Sequence, residues 1–322
     1  MLFTKFLKKT LMVARQQFLN SSIQKLVVTV PNLTPRLTEE IYFSLEELGL
    51  KKDRVTVISQ VQSYMYYVLC QKPEIWANEV ALFTYDETGL FYYNLTMNKR
   101  MQPYAVIVDR IDLSHELTPQ MFQEEPLERV LYRLEKLLNQ VLYKKLTSAV
   151  FMTGKGFEGN WVRDVLVRLS SSRRVFVGQN LYAKGACFAA KGFADESFRN
   201  YVFLSDEMIT STITLRLYED AKEVEYSMVK AGTPWWKAEH TVTVILDETK
   251  ELCFTVSNLL KREPLQEVFS LDGMVERENK TIRLAITVHF VDRFTAVVTV
   301  RDTGFGEFYA TNYRIWEQTL TL

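Results

Sequence analysis

The 322-residue chain carries 39 basic and 39 acidic side chains, so its formal net charge is zero. A balanced charge excludes the general electrostatic attraction that draws basic proteins to nucleic acid or anionic membranes, although local charged patches remain compatible with it. Hydrophobic residues make up 47% and charged residues 24%, values typical of a folded globular protein, and the length suffices for two domains. We therefore expect neither nucleic acid nor a membrane among its partners.

Cysteine usage and the N-terminus bear on the cellular compartment. The cysteines are odd in number and include no CxxC pair: Cys70, Cys187 and Cys253. This pattern argues against a disulfide framework or a thiolate zinc site and predicts a cytoplasmic protein. The first residues are apolar like a signal peptide, but Lys5, Lys8 and Lys9 interrupt them, and the helical spacing of the apolar residues predicts an amphipathic helix instead.

The first part of the chain alternates between predicted helices and strands. Helices are expected over 3–18, 38–48, 61–69, 126–146, 162–169 and 178–190, and strands over 23–31, 54–58, 79–83, 90–95, 105–109, 149–152 and 174–177. Residues 84–89 form the turn between the third and fourth of these strands. Up to about Phe198 the pattern is therefore mixed α/β.

The most distinctive stretch is 149–161, in which an apolar strand runs into a glycine-rich turn. Gly154, Gly156 and Gly159 let the backbone turn tightly and approach a ligand closely. A following helix would point free N–H groups at an anion. From this stretch alone, a plain strand-to-helix loop is the commoner explanation, and Lys155 is more often an exposed turn lysine than a phosphate contact.

From Tyr201 onward, short alternating strands replace the mixed pattern. Examples lie at 211–217, 241–246, 252–256, 282–290 and 295–301. The alternation over 282–290 predicts one buried and one wet face. We therefore predict a first domain over 1–198, a linker over 199–206 and a β-sandwich over 207–322.

Read in order, these segments resemble a DnaK-type heat-shock chaperone, whose nucleotide-binding domain belongs to the actin-like ATPase superfamily. The segments that carry the resemblance are 27–31 (VVTVP), 45–55, 150–156 (VFMTGKG), 178–186, 201–206 (YVFLSD), 268–274 and 285–300. Within that superfamily the chain is most similar to an uncharacterised bacterial family of degenerate DnaK-like proteins. The resemblance implies a partial actin-like ATPase domain with a ribonuclease H-like fold, followed by a sandwich like the chaperone's peptide-binding domain.

The resemblance also implies three groups of site residues. Adenosine contacts fall on Gly154, Lys155, Gly156, Gly178 and Gly185. The turn that holds phosphate in the family corresponds to Thr84, Asp86, Glu87 and Gly89. The interdomain linker of the family corresponds to the segment with Val202, Leu204 and Asp206.

Departures from the family pattern concern the phosphate side. The first phosphate hairpin should precede everything in this chain, so the domain resembles an N-terminally truncated one. The second hairpin should contain a run of glycines, whereas here Asp86 and Glu87 would repel phosphate unless a metal intervened. The glutamate that helps position the attacking water is absent from 59–63. We therefore expect a pseudo-ATPase that requires no cofactor and binds ATP or ADP with Mg weakly at most.

Other candidate chemistry is sparse. His115, His240 and His289 lie far apart in sequence without metal-ligand spacing. Trp235 and Trp236 could anchor a partner, because adjacent exposed tryptophans are costly, but packing under a neighbouring loop explains them equally well.

The leading hypothesis is a catalytically degenerate DnaK-like protein that binds a polypeptide or protein partner. The sandwich would engage an extended polypeptide, and the first domain would act mainly as a scaffold. One alternative is an ATP-dependent chaperone or actin-like ATPase whose phosphate-binding segment is missing from this chain. A second is a self-associating structural subunit, and the oligomeric state stays open.

Overall fold

The computed structural model describes residues 2–17, 22–118, 120–171 and 173–322. The chain divides into two compact units, residues 1–205 and 206–322. The division falls within residues 196–206, where the amino-acid composition changes. The first unit is mixed α/β and the second is built from β-strands.

The first unit contains the helices α1 (Leu2–Gln17), α2 (Pro35–Glu47), α3 (Gln60–Leu69), α4 (Met121–Glu124), α5 (Leu127–Val141), α6 (Arg163–Ser170) and α7 (Leu181–Asp195). Its strands are β1 (Leu26–Val30), β2 (Val55–Ser59), β3 (Glu79–Asp86), β4 (Gly89–Asn98), β5 (Tyr104–Asp112), β6 (Thr147–Thr153), β7 (Arg174–Val177) and β8 (Tyr201–Leu204). The predicted helices and strands of this part are confirmed, with shifted ends.

Side-chain caps fix where two of these helices begin. Thr34 precedes α2 and accepts a hydrogen bond from the N–H of Leu37 at 3.3 Å. At the start of α3, Ser59 and Gln62 form a reciprocal capping box, in which each side chain accepts from the other residue's N–H. α3 therefore starts directly at the carboxyl end of β2.

A six-stranded sheet with the order β7-β6-β3-β4-β5-β8 forms the centre of the first unit. The pairs β3–β6, β6–β7 and β5–β8 are parallel, whereas β3–β4 and β4–β5 are antiparallel. β1 and β2 form a separate parallel pair. The ordering places β3 and β6 side by side, so their carboxyl ends meet at one edge of the sheet.

Helices cover both faces of this sheet. On one face, Ala81 and Phe83 of β3 pack in a core that includes Leu134 of α5. On the other face, Val80 and Leu82 pack in a core that includes residues of α3. β6 is buried from Ala149 to Thr153, as expected for a strand covered on both sides.

Two details of the first unit differ from the sequence-based expectations. The turn predicted over 84–89 is shorter, because β3 continues to Asp86 and β4 begins at Gly89. Val202 and Leu204, predicted to belong to a linker, lie in β8, which pairs in parallel with β5. Residues 201–204 are therefore part of the first unit's sheet, because their backbone groups pair along the edge of β5.

The second unit contains β9 (Ser211–Glu219), β10 (Lys222–Val229), β11 (Glu239–Ile245), β12 (Glu251–Asn258), β13 (Leu265–Ser270), β14 (Arg283–Asp292), β15 (Thr295–Asp302) and β16 (Ile315–Thr321). These form two four-stranded antiparallel sheets with the orders β10-β9-β12-β13 and β11-β14-β15-β16. Both sheets contribute to one hydrophobic core. The alternation predicted over 282–290 is confirmed: Ile282, Leu284, Ile286, Val288 and Phe290 are all buried.

Candidate functional site

The candidate site lies where β3 and β6 end side by side. Thr84 of β3 is opposite Thr153 of β6 in the parallel register. Asp86, the last residue of β3, and Gly154, the first residue after β6, therefore lie at the same edge. In α/β sheets, ligands bind outside the carboxyl ends of the strands, so this edge is where a binding cleft is expected.

The glycines after β6 are required by contact with Tyr85. Gly154 has φ +106°, and a Cβ there would lie 2.3 Å from the backbone oxygen of Tyr85. A Cβ on Gly156 would lie 2.2 Å from the ring of Tyr85. These glycines thus allow the turn to approach the neighbouring strand β3 closely.

Gln179 holds the backbone of this turn in place. Its side-chain oxygen accepts from the N–H of Gly154 at 3.2 Å, and its amide nitrogen donates to the carbonyl of Gly154 at 3.1 Å. The adjacent Gly178 donates its N–H to Met152 at 3.0 Å. Because the Gly154 N–H already has a partner, it is not free to bind an anion. The sequence reasoning missed Gln179, and only its position beside Gly178 could have drawn attention to it.

The β3–β4 loop forms the opposite rim and carries two carboxylates. Asp86 accepts hydrogen bonds from the N–H and hydroxyl of Thr88 at 2.8 and 2.6 Å. Glu87 lies 3.6 Å from the ammonium of Lys155, and both side chains are largely exposed. Gly89 has φ +125°, and a Cβ there would lie 2.0 Å from the hydroxyl oxygen of Ser114. The structure thus brings together the predicted residues of both turns, with Asp86 engaged in fixing its own loop.

Two adjoining depressions of about 400 and 470 Å³ share Asp86, Glu87 and Lys155. The smaller is the more polar of the two, and its other lining residues are Gln60, Thr84, Thr88, Thr153, Gly154, Gln179 and Tyr182. The larger is mainly apolar, and its other lining residues are Tyr85, Phe122, Leu127, Gly156 and Trp161. We call the two together the β3–β6 cleft.

Aromatic rings form the wall of the larger depression. The rings of Phe122 and Trp161 meet edge to face with centroids 4.9 Å apart, and Tyr85 stacks on Phe122 at 6.2 Å. The indole N–H of Trp161 donates to the carbonyl of Gly156 at 3.1 Å, which fixes the ring against the turn. Burial raises the pKa of the Tyr85 phenol, so this group stays neutral. Such a wall suits a planar apolar ring. The sequence reasoning did not identify Phe122, Leu127 or Trp161.

The electrostatics of the cleft do not favour phosphate. Two carboxylates, Asp86 and Glu87, face one lysine, Lys155, so the local charge sums to about −1. Like charges repel a phosphate group, and Lys155 is already close to Glu87. Burial, followed by nearby Tyr93 and Asp86, raises the pKa of Tyr182 well above its ordinary value. Within the described residues, no three His, Cys, Asp or Glu side chains are grouped so that they could hold a metal ion.

Gly185, the remaining adenosine candidate, lies away from the cleft. It is buried in α7, where a Cβ would lie 1.9 Å from the backbone oxygen of Ser63 in α3. Its role is therefore to let α3 and α7 pack closely.

The remaining predicted site residues lie in the second unit. Asp206 forms an ion pair with Arg293 at 2.6 Å. Trp235 packs against the core of the two sheets, and its ring meets Trp236 edge to face at 5.6 Å. Both tryptophans are half-buried, and the indole nitrogen of Trp236 is buried without a hydrogen-bond partner in the described part of the chain. Most of the Trp235 ring thus serves packing.

Fold and cleft together define a two-unit protein with an α/β unit that bears a ligand-sized cleft and a β-rich unit with two sheets. Residues 1–206 match the family model described as "Family of unknown function (DUF5716) C-terminal". This match covers more than half of the chain, so the protein belongs to that family. Residues 208–322 match a second model, described as "Domain of unknown function (DUF8552)". No curated protein matches the chain. The two matched regions meet where the two compact units meet. None of the described helices is both long and apolar enough to cross a membrane.

Proposed function

We propose that this chain is a binding protein without ATPase activity. It is a degenerate relative of the DnaK-type chaperones whose second unit takes an extended polypeptide. Its first unit is a scaffold with at most weak affinity for the adenosine part of a nucleotide. The observation that carries this proposal is the charge of the β3–β6 cleft: Asp86 and Glu87 line both of its depressions and would repel a phosphate group there.

The aromatic wall supports binding of an adenine ring, and the charge of the cleft favours adenosine over ATP. A purine ring would gain contact area against Phe122 and Trp161. A triphosphate would bring several negative charges toward the two carboxylates, and the Gly154 N–H is taken by Gln179. Adenosine therefore binds at least as tightly as Mg-ATP in this proposal.

Thermal unfolding of the full chain with adenosine, Mg-ADP and Mg-ATP tests the first unit. Adenosine should give the largest stabilisation, approaching about 2.7 kcal/mol at a hundred times its dissociation constant. Leu127→Gln should abolish the shift, because this exposed residue lines the cleft. Leu146→Gln is the matched control, because Leu146 is also exposed but does not line it. Stoichiometric release of phosphate from ATP by the purified chain would overturn the proposal.

Edge strands support polypeptide binding by the second unit. β13 and β16 each pair on one side only. They lie on the same side of the two sheets, since Trp316 of β16 donates to the carbonyl of Asp272 at 3.0 Å, just after β13. β13 exposes Leu265 and Val268. An edge strand with exposed apolar side chains can accept an extended peptide as an added strand.

Fluorescence anisotropy with a labelled heptapeptide of alternating Leu and Ser tests this part. The full chain should bind the peptide, and Val268→Lys should weaken binding at least tenfold. Ile245→Lys is the matched control, because Ile245 of β11 is 52% exposed and Val268 is 49% exposed. Equal loss of binding in both variants, or no binding by the unaltered chain, would count against polypeptide capture at β13.

A further inference from the structure

The first helix, α1, carries an unbalanced charge. Lys5, Lys8, Lys9 and Arg15 lie within α1, which contains no acidic residue. At about 100° of rotation per residue, these cations occupy one arc of about 120° on the helix. Within the described residues, none of the four lies at salt-bridge distance from a carboxylate. None of the four cations is thus paired with a carboxylate of the described residues, although the Glu47 carboxylate of α2 approaches α1 at the Thr4 hydroxyl, 3.4 Å away.

An apolar strip borders this arc and remains uncovered. Phe6 is 64% and Val13 is 50% exposed, although both are large apolar residues. Leu7 and Leu11, on the neighbouring part of the helix, are half-buried. On the side that meets α2, the hydroxyl of Thr4 lies 3.2 Å from that of Ser44. α1 thus contacts the first unit along one side and leaves Phe6 and Val13 in solvent.

We propose that α1 docks the protein on an anionic lipid surface. A bilayer with anionic headgroups can contact the cations and the exposed apolar residues at the same time. The headgroups face the cations, while Phe6 and Val13 enter the boundary of the acyl chains. The balanced net charge of the whole chain does not oppose this contact, since screening limits charge effects to about 10 Å at 0.1 M salt. This inference is independent of the proposed nucleotide and polypeptide binding.

The arrangement sets the strength and character of the contact. A single short helix with four cations and two partly exposed apolar side chains gives reversible binding that depends on both charge and apolar contact. Each removed cation should lower the partition onto anionic vesicles by about fivefold. Raised salt should release the protein, because it screens the same attraction.

Co-sedimentation of the full chain with vesicles tests the proposal. The protein should pellet with vesicles of 30% phosphatidylglycerol in phosphatidylcholine, stay in solution with pure phosphatidylcholine, and be released by 0.5 M salt. The triple variant Lys5→Gln, Lys8→Gln, Lys9→Gln should lose about a hundredfold in partition. The corresponding triple Lys→Arg variant keeps the charge and should still pellet.

A second pair of variants separates docking from general stickiness. Phe6→Gln should weaken binding, whereas Phe308→Gln in the second unit should not, although Phe308 is 93% exposed. All five substituted positions are exposed, and unchanged thermal unfolding of each variant would show that the fold is retained. Failure to pellet with anionic vesicles, equal pelleting with pure phosphatidylcholine, or equal effects of the two Phe variants would overturn the proposal. Capture by an acidic protein with no vesicle binding would likewise replace the lipid with a protein occupant.

Discussion

The two rims of the β3–β6 cleft are built in opposite ways. The turn after β6 is fixed by backbone contact with Tyr85 and by both side-chain hydrogen bonds of Gln179. The β3–β4 loop is held mainly by Asp86 and presents Glu87 to solvent. The glycines therefore belong to the part of the cleft that resists change, and the charges belong to the part that tolerates it. A glycine-rich turn thus does not by itself indicate a ligand-binding site when a neighbouring strand already occupies the space beside the glycines.

Among substitutions that test this difference between the two rims, that of Gly154 should reduce stability most. In Gly154→Ala, the new Cβ meets the Tyr85 carbonyl and the positive φ becomes strained. We expect a loss of about 3 kcal/mol in the free energy of unfolding of the first unit, measured by urea titration. Gly49→Ala is the matched control: its φ is +83°, but no atom lies within 4 Å of the new Cβ. It should cost about 1 kcal/mol, and equal losses would show that crowding against Tyr85 is unimportant.

Removal of the Trp161 ring should come second. Trp161→Ala deletes the contact with Phe122 and the hydrogen bond to Gly156. We expect a loss of about 2 kcal/mol in stability, less than for a fully buried tryptophan. Thermal unfolding should also show no stabilisation by adenosine. Trp161→Phe, which keeps an aromatic ring, should recover most of the stability. If Trp161→Phe were as unstable as Trp161→Ala, the packing role of the ring would be contradicted.

Loss of the Gln179 clamp should have a smaller effect. Gln179→Ala leaves the N–H and carbonyl of Gly154 to solvent, and we expect a loss of about 1 kcal/mol. Hydrogen exchange at the Gly154 amide should speed up in the same variant. Gln179→Glu can still accept from Gly154 but cannot donate to it, so it should protect the amide while recovering only part of the stability. Unchanged exchange in Gln179→Ala would mean that the clamp does not hold the turn.

Substitutions in the exposed ion pair of Lys155 and Glu87 should have the smallest effect on stability. Lys155→Gln removes the partner of Glu87, but the two side chains are 78% and 88% exposed. Water and salt screen such a pair, so we expect a change in stability below about 0.5 kcal/mol. The double variant with Glu87→Gln measures the coupling of the pair by urea unfolding. A coupling above about 1 kcal/mol would erase the difference between the two rims.

The local sequence pattern was enough to predict which residues face the core where burial alternates along a strand. The alternation over 282–290 identified which residues of β14 face the core, because successive side chains point to opposite faces. The apolar run before Gly154 likewise identified β6 as a strand, and the structure buries this strand from Ala149 to Thr153. The change of composition after Phe198 located the passage from mixed α/β to β structure.

Contacts between segments that are distant in sequence could not be predicted from the local sequence pattern. Phe122 and Trp161 are 39 positions apart, and no local pattern tells that their rings meet. Gly185 was assigned to adenosine by resemblance, but its small size serves the contact with Ser63 in α3. The strand ending of β3 was placed too early, because Tyr85 and Asp86 continue to pair with β4 despite a polar, turn-like sequence.

The position of β8 constrains the order in which the protein can fold during synthesis. β8 is the last strand of the first unit, yet Tyr201 pairs with Tyr104 of β5. The sheet is therefore completed only after nearly the whole unit has left the ribosome. Until then β5 exposes an unpaired edge in the growing chain, and such edges are prone to mispairing. A nascent chain stalled before residue 201 should accordingly depend on protection that a chain stalled after the first unit does not need.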